Sequence, residues 1–290
     1  MLGRYFSARG HQADHDPTLG FAFDGRLEIL RAPLWLRDLA GAWIFYSVLP
    51  AWPGLKPRFE RIARFAPWIG LVLGGLQSLL WLVLIRADWP TSAVALLVIG
   101  LGAWLSGGLH LDGLMDTADG LAAGRERCLQ AMDDSCVGAS GVQTLLVVVL
   151  LQIAALLRLG SLAPLALPIA AFWGRCAPLW AMARFFYLRE GQQAGTASFH
   201  RRYRQGWQEA LPAFLVLLLV LTVFPSLLMV GWPSQMVLMA GIGVGVLPAF
   251  LVPEVLGRRL GGHSGDSYGA SVVLVETVTL LLLAVLLPAG

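Results

Sequence analysis

Three aspartates in one short segment have a spacing that would place them together on one face of a helix. Asp112, Asp116 and Asp119 are separated by four and then three residues, and at about 100° per residue they fall within a narrow arc. Like charges stacked in this way repel one another. A divalent cation bound by carboxylate oxygens is the usual compensation, and Mg²⁺ would also bridge to substrate phosphates. The spacing therefore predicts a magnesium site, with a solvated acidic loop as the alternative.

Further along the chain, two glycine-containing segments carry additional acids. Asp134 lies in the segment 131–138, and Gly265 and Asp266 lie in the glycine-rich segment 261–270. A glycine-rich turn at a helix N-terminus is a natural phosphate cradle. We therefore predict that Gly265 contacts substrate and that Asp134 and Asp266 belong to the catalytic set.

Basic residues interleaved with aromatic ones occupy the segment 184–204. Arginine forks there could hold phosphate while the rings stack a flat base. An anchor on anionic lipid explains any single one of these arginines equally well.

Two ionisable residues, Arg175 and Glu276, fall inside strongly apolar stretches. An unpaired charge at that depth costs at least about 2.5–3.5 kcal/mol, so Arg175 needs an anionic partner. A substrate phosphate and Glu276 are the two candidates. Gly174 favours the phosphate, because a glycine allows a bulky ligand to approach the helix. Both charged residues are thus predicted to bind substrate.

The elements that must position these residues follow from composition. Of 290 residues, 57% are hydrophobic and only 13% are charged, whereas a soluble domain has roughly a quarter charged residues. This excludes an ordinary soluble enzyme and a disordered chain. A net charge of +3 is too small to indicate nucleic-acid binding. The chain is predicted to be an all-α, polytopic integral membrane bundle that contacts membrane lipid, and its composition leaves a homo-oligomer open.

Hydropathy predicts seven membrane-spanning helices, each close to the about 20 apolar residues that a span needs. They are Pro67–Ile85, Ser92–Leu109, Val142–Leu157, Leu162–Ala183, Leu211–Val230, Met236–Val252 and Ser271–Pro288. An eighth apolar segment, Leu36–Leu49, is shorter and lies between basic flanks, so we expect it to be re-entrant or interfacial.

The distribution of basic residues predicts the orientation of the bundle. With seven crossings, Lys56 and 17 arginines lie on the same side as every acidic glycine motif, whereas only Arg86 and Arg158 lie opposite. The positive-inside rule makes the first side cytoplasmic. Residues 1–35 are then a polar cytoplasmic extension, residues 36–290 form a single membrane-embedded catalytic domain, and the active site faces the cytoplasm.

With these motifs in view, the chain resembles the cobalamin synthase (adenosylcobinamide-GDP ribazoletransferase) family from about Arg37 to the C-terminus. The motifs that carry the resemblance are Arg61 with 65–70, the acidic signature 108–121, the segment 132–141, Gly174-Arg175, and 262–270 with Glu276. The family commonly has a glutamate where this chain has Leu111.

The resemblance implies a multi-pass enzyme of the bacterial inner membrane. Its substrates would be adenosylcobinamide-GDP and α-ribazole or its 5′-phosphate, and its products adenosylcobalamin or its 5′-phosphate and GMP. This is phosphoryl transfer at a diphosphate, in which positioning and charge neutralisation supply most of the catalysis. Magnesium on Asp112, Asp116 and Asp119 fits that chemistry.

Two other classes of protein share some of these features. A CDP-alcohol phosphotransferase-like lipid enzyme has a similar density of aspartates, but its signature continues from Asp-Gly to Ala-Arg, whereas Asp112-Gly113 is followed by Leu114-Met115. A transporter would place its acids at mid-membrane in repeated, broken helices. No repeat is evident in this sequence.

Overall fold

The computed structural model describes residues 32–189, 203–215, 217 and 232–287, and in the last range it describes side chains from residue 243 on. These residues form α-helices joined by short turns and 3₁₀ helices, and no strand lies among them. The α-helices are α1 (Leu34–Tyr46), α2 (Ala66–Arg86), α3 (Thr91–Leu105), α4 (Leu109–Ala122), α5 (Cys128–Asp133), α6 (Ala139–Leu159), α7 (Ala163–Arg184), α8 (Trp232–Leu260) and α9 (Gly265–Leu286). The prediction of an all-α helical membrane bundle is confirmed.

Helices α7 and α9 form the centre of the bundle. Helix α7 packs against α2, α8 and α9, and α9 also contacts α4 and α6. Gly70 and Gly74 of α2 face the backbone of α7 so closely that a Cβ atom at either position would overlap it. These contacts bury Trp81, Leu156 and Leu283 in one apolar cluster. The centre of the bundle is therefore held by close helix packing and apolar burial.

Large apolar side chains also cover the outside of the bundle. Examples are Leu79 on α2, Leu96 on α3, Leu146 on α6 and Leu251 on α8, each more than half exposed. Such a surface is expected where a helix faces lipid. The chain is thus a polytopic membrane protein.

Within the described residues, three helical stretches are long and apolar enough to cross a membrane: Ile62–Arg86, Ala139–Arg184 and Gly265–Leu286. The second comprises α6 and α7, which have 21 and 22 residues. The bent pair α3–α4 brings the number to at most four if it counts as one span. The predicted span Leu211–Val230 lies mostly outside the described residues, and the total of seven stays a prediction.

The structure corrects the predicted span Ser92–Leu109. Helix α3 ends at Leu105, and the chain then bends by 89° into α4. Gly107 and Gly108 form the bend with φ of 63° and 75°, a backbone conformation that glycine adopts without strain. With 14 residues, α4 is too short to span a bilayer by itself.

Helix α1 is tied to the start of α2 through a buried carboxylate. It has 13 residues, which agrees with the predicted non-spanning segment Leu36–Leu49. Asp38 is only 1% exposed and pairs with Arg64 at 2.6 Å and Arg58 at 3.4 Å. Burial raises the pKa of Asp38, and both arginines oppose that rise. The pairing fixes the end of α2 that lies beside the acidic segments.

The orientation can be tested with the native Cys136, which is exposed beside the acidic segments. In a background carrying Cys128→Ala and Cys176→Ala, we expect a membrane-impermeant maleimide to label Cys136 only after intact cells are permeabilised. The matched control, Ala87→Cys, adds a thiol at the exposed turn between α2 and α3 and should be labelled from outside. Labelling of Cys136 in sealed cells would reverse the predicted topology.

Candidate active site

Helices α4 and α9 approach each other through two glycines. A Cβ atom at Gly113 would overlap the backbone of Asp266, and one at Gly269 would press on the Cα atom of His110 at 3.3 Å. A side chain at Gly113 would force the two helices apart, and one at Gly269 would require its neighbour to shift by a few tenths of an ångström. The close approach brings Asp112, which adjoins Gly113, to the same place as Asp266.

Both carboxylates line a cavity of about 120 Å³ at the junction of α4, α7 and α9. We call it the first cavity. Its polar lining includes Asp112, Asp266, Gly265, Arg175, His110, Tyr46 and Tyr268. The structure therefore brings together four residues predicted from sequence, namely Asp112, Arg175, Gly265 and Asp266.

Asp116 belongs to the same electrostatic cluster. The cluster lies at the end of the bundle where α2 and α9 begin, because Asp112 and Asp266 line one cavity with Ala66 and Gly265. Burial and, after it, the negative charges of Asp112, Asp266 and Asp119 together raise the pKa of Asp116 to about 7, although the positive charge of Arg189 opposes the rise. Carboxylates that shift one another's pKa upward are a frequent feature of functional sites.

Arg189 is the cation that the structure places in this cluster. Its Nη2 lies 2.9 Å from an oxygen of Asp266 and 2.8 Å from one of Asp133. The sequence indicated that Arg189 belongs to a basic segment but not that it joins the acidic residues of two other segments. Its Nε is buried and has no hydrogen-bond partner among the described residues.

Asp119 has a clear role in positioning α6. One carboxylate oxygen accepts the backbone N–H of Gly138 and the other accepts that of Gly141, both at 2.8 Å. Gly138 precedes the first residue of α6, so Asp119 satisfies amides that a helix N-terminus leaves without partners. A Cβ atom at either glycine would overlap this carboxylate. A metal-binding role for Asp119, in addition to this one, stays a prediction.

Asp134 makes a local contact. Its side chain is exposed, and Oδ1 accepts the backbone N–H of Cys136 at 2.9 Å. The neighbouring Asp133, rather than Asp134, connects to Asp266 through Arg189. A catalytic role for Asp134 stays a prediction.

Arg175 pairs with Glu276 across α7 and α9. Its Nη1 lies 2.6 Å from Glu276 Oε1 and also donates to the carbonyl of Ala171 at 3.1 Å. The side chain of Glu276 fills the space beside Gly174. The absence of a side chain at Gly174 therefore makes room for the ion pair. We had predicted that it makes room for a ligand. The predicted phosphate contact of Arg175 stays a prediction.

The turn before α9 is fixed by a buried hydrogen-bond network. His263 Nε2 lies 2.9 Å from the carbonyl oxygen of Pro253, and Nδ1 lies 2.9 Å from Ser267 Oγ. Burial lowers the pKa of His263 to about 4, so the ring is neutral at pH 7. Ser264 and Ser267 complete a capping box. The predicted glycine-rich turn is thus real, and it presents Gly265 and Asp266 as the first residues of α9.

The carboxylates of the site suit magnesium only if substrate phosphates supply further ligands. No group of three or more His, Cys, Asp or Glu side chains in the described part of the chain is arranged to hold a metal ion by itself. Magnesium, however, is commonly bound by one or two carboxylates together with substrate phosphates. Asp112 and Asp116 provide such a pair beside a cavity that also contains arginine and a helix N-terminus.

The chain also matches known proteins over most of its length. The family model described as cobalamin-5-phosphate synthase matches residues 38–284. The chain belongs to this family. It is a transferase of cobalamin biosynthesis. No solved structure matches the chain.

Several relatives carry the name adenosylcobinamide-GDP ribazoletransferase. One from Prochlorococcus marinus strain MIT 9303 is 95% identical over 261 residues, which cover 90% of this chain and 100% of the relative. A relative from strain CCMP1375 of the same species is 48% identical over 265 residues, with the same coverage. One from Trichormus variabilis is 35% identical over 87% of this chain and 98% of the relative.

Two aspartates of α4 should respond oppositely to the same substitution. Asp119→Asn removes one charged acceptor of a helix-terminal amide and should lower the unfolding free energy by roughly 1–2 kcal/mol. Asp116→Asn relieves repulsion and should leave stability unchanged or slightly higher. Thermal unfolding of the purified variants in one detergent measures both. Equal loss in the two variants would contradict the capping role of Asp119.

Proposed function

We propose that this transferase joins adenosylcobinamide-GDP to α-ribazole or α-ribazole 5′-phosphate. The products are adenosylcobalamin or its 5′-phosphate and GMP. The family match and the names of the relatives support this substrate pair. The observation that carries the proposal is the group of mutually repelling carboxylates beside a cavity that also contains arginine and glycine.

The reaction exchanges one phosphorus–oxygen bond for another. A ribose hydroxyl oxygen of the acceptor bonds to the phosphorus on the cobinamide side of the diphosphate. The bond from that phosphorus to the bridging oxygen breaks, and GMP leaves with the electron pair. The hydroxyl proton is taken by a carboxylate beside the hydroxyl, which acts as general base. Asp266 lines the first cavity and is suited to this step.

The chain's own residues supply the binding of the diphosphate. The backbone N–H groups at the N-terminus of α9, beginning at Gly265, are suited to phosphate oxygens. Arg175 lines the same cavity and offers a guanidinium for the charge that develops on the leaving group. Arg189 pairs with Asp266, which lines the same cavity, so its guanidinium is a further candidate for a phosphate contact.

Asp112 and Asp116 are the residues that we propose to hold Mg²⁺, and Asp119 keeps them in place by fixing α4 against α6. When bound, the cation supplies charge neutralisation at the diphosphate and orientation of the leaving phosphate.

We further propose that the protein lies in the bacterial inner membrane with the first cavity facing the cytoplasm. The excess of arginine on the side of the acidic segments supports this orientation. The donor carries a charged diphosphate and the acceptor is a polar nucleoside or its phosphate, so both would reach the cavity from the cytoplasm. Contact with membrane lipid follows from the exposed apolar surface, and assembly into a homo-oligomer is compatible with it.

Asp116→Asn tests the proposed reaction. The substitution keeps the side-chain volume and removes one anionic ligand, so turnover of adenosylcobinamide-GDP with α-ribazole should fall at least about 100-fold at limiting Mg²⁺. Release of GMP measures the rate. Asp88→Asn, an exposed acid in the turn after α2, is the matched control and should retain wild-type turnover. An Asp116→Asn enzyme with near-wild-type turnover at limiting Mg²⁺ would refute the metal role of this face.

A further inference from the structure

A second cavity of about 360 Å³ lies among α2, α3, α4, α6, α7 and α9. It shares two lining residues, His110 and Arg175, with the first cavity, so the two spaces meet at these side chains. Gln77, Gly100, Ser106, Gln152 and Glu276 also line it. The proposed reaction needs two substrates that meet at one phosphorus, and the reaction described above uses only the first cavity.

Two buried polar atoms at the shared wall have no hydrogen-bond partner among the described residues. They are His110 Nε2 and Arg175 Nε. The two residues are only 6% and 5% exposed. Buried polar groups are nearly always hydrogen-bonded, and exceptions call for an explanation. A bound molecule would satisfy them with an acceptor atom for the Nε–H of Arg175 and with an acceptor or a donor for His110 Nε2, according to the histidine tautomer.

The remainder of the second cavity is mainly alkyl. Leu73, Ile99 and Val149 are part of its lining. A ligand that suits it is flat, with an apolar face towards these side chains and polar atoms at the edges that meet His110, Arg175 and the other polar lining residues. A corrinoid macrocycle is too large for this volume. A lipid acyl chain has no atom that could accept a hydrogen bond from the wall.

We propose that the second cavity binds the heteroaromatic base of the acceptor nucleoside. His110 Nε2 and Arg175 Nε face the polar edge of the base, and the ribose extends past them towards the first cavity. His110 is therefore a specificity-determining residue at the boundary between the acceptor base and the diphosphate. This assignment rests on the proposed function, because it takes α-ribazole as the acceptor.

Gly100 offers a way to fill the second cavity without disturbing the fold. A Cβ atom there would meet no heavy atom within 4 Å. Gly75 on α2 is the matched control, since a Cβ atom there is equally free and the residue is exposed and outside both cavities. Gly100→Leu and Gly75→Leu thus make the same change in two apolar helices, and only the first occupies the cavity.

The experiment uses the purified full-length protein in detergent and measures α-ribazole binding by equilibrium dialysis together with the KM of each substrate. Gly100→Leu should weaken α-ribazole binding at least about tenfold and raise the acceptor KM in parallel, with an unchanged KM for adenosylcobinamide-GDP. Gly100→Ala, which adds a smaller group, should show an intermediate loss and keeps the test valid if the leucine variant folds poorly. Gly75→Leu should match the wild type.

Three results would overturn the assignment. The first is wild-type protein that does not bind α-ribazole. The second is folded Gly100 variants with unchanged α-ribazole binding, as expected if a lipid chain or nothing fills the cavity. The third is a raised KM for adenosylcobinamide-GDP alone, which would assign the cavity to the guanine of the donor. Dialysis measures binding without turnover, so it separates this assignment from the proposed reaction. If the wild type binds α-ribazole but releases no GMP, and Gly100→Leu loses that binding, the proposed reaction is refuted while the binding site stands.

Discussion

Electrostatic repulsion among carboxylates at one end of a membrane bundle is the constraint around which the rest of the structure is arranged. Burial, together with the negative charges of Asp112, Asp266 and Asp119, raises the pKa of Asp116 to about 7, and separating the carboxylates would relieve their mutual repulsion. Close packing of the helices that carry these carboxylates prevents their separation. Gly113 and Gly269 seat α4 directly on α9, and the buried hydrogen bonds of the preceding turn fix the start of α9. Stability that is given up in this way is expected where charges are kept for function.

Each of the three aspartates of α4 has a different surrounding. Asp119 is committed to the backbone amides at the start of α6, so it anchors the helix that carries the other two. Asp112 is exposed and lines the first cavity. Asp116 lies between them. A cation shared with a substrate diphosphate would therefore meet a preformed pair of carboxylates rather than a complete cage, as is common for magnesium.

Much of this arrangement could be predicted from sequence because it depends on local periodicity. The apolar stretches predicted helices α2, α6, α7 and α9. The four- and three-residue spacing of the aspartates predicted that these aspartates lie on one face of a helix. Long-range contacts could not be predicted in the same way. The capping contact of Asp119, the pairing of Arg189 with Asp266, and the choice of Asp133 over Asp134 depend on which helices pack together. The bend at Gly107-Gly108 had a local signal, since adjacent glycines often mark a turn. The apolar stretch that continues to Leu109 nevertheless led us to predict one uninterrupted span.

Binding of Mn²⁺, a paramagnetic substitute for Mg²⁺, tests the central claim most directly, because electron paramagnetic resonance reports the free ion without any turnover. The account predicts weak Mn²⁺ binding to the wild-type protein alone and at least about tenfold tighter binding when adenosylcobinamide-GDP is present, since the ion needs both carboxylates and phosphates. Asp116→Asn should abolish that enhancement. Equal Mn²⁺ affinity in the wild type and in Asp116→Asn, with or without the diphosphate, would contradict the claim that these carboxylates are held together for a cation.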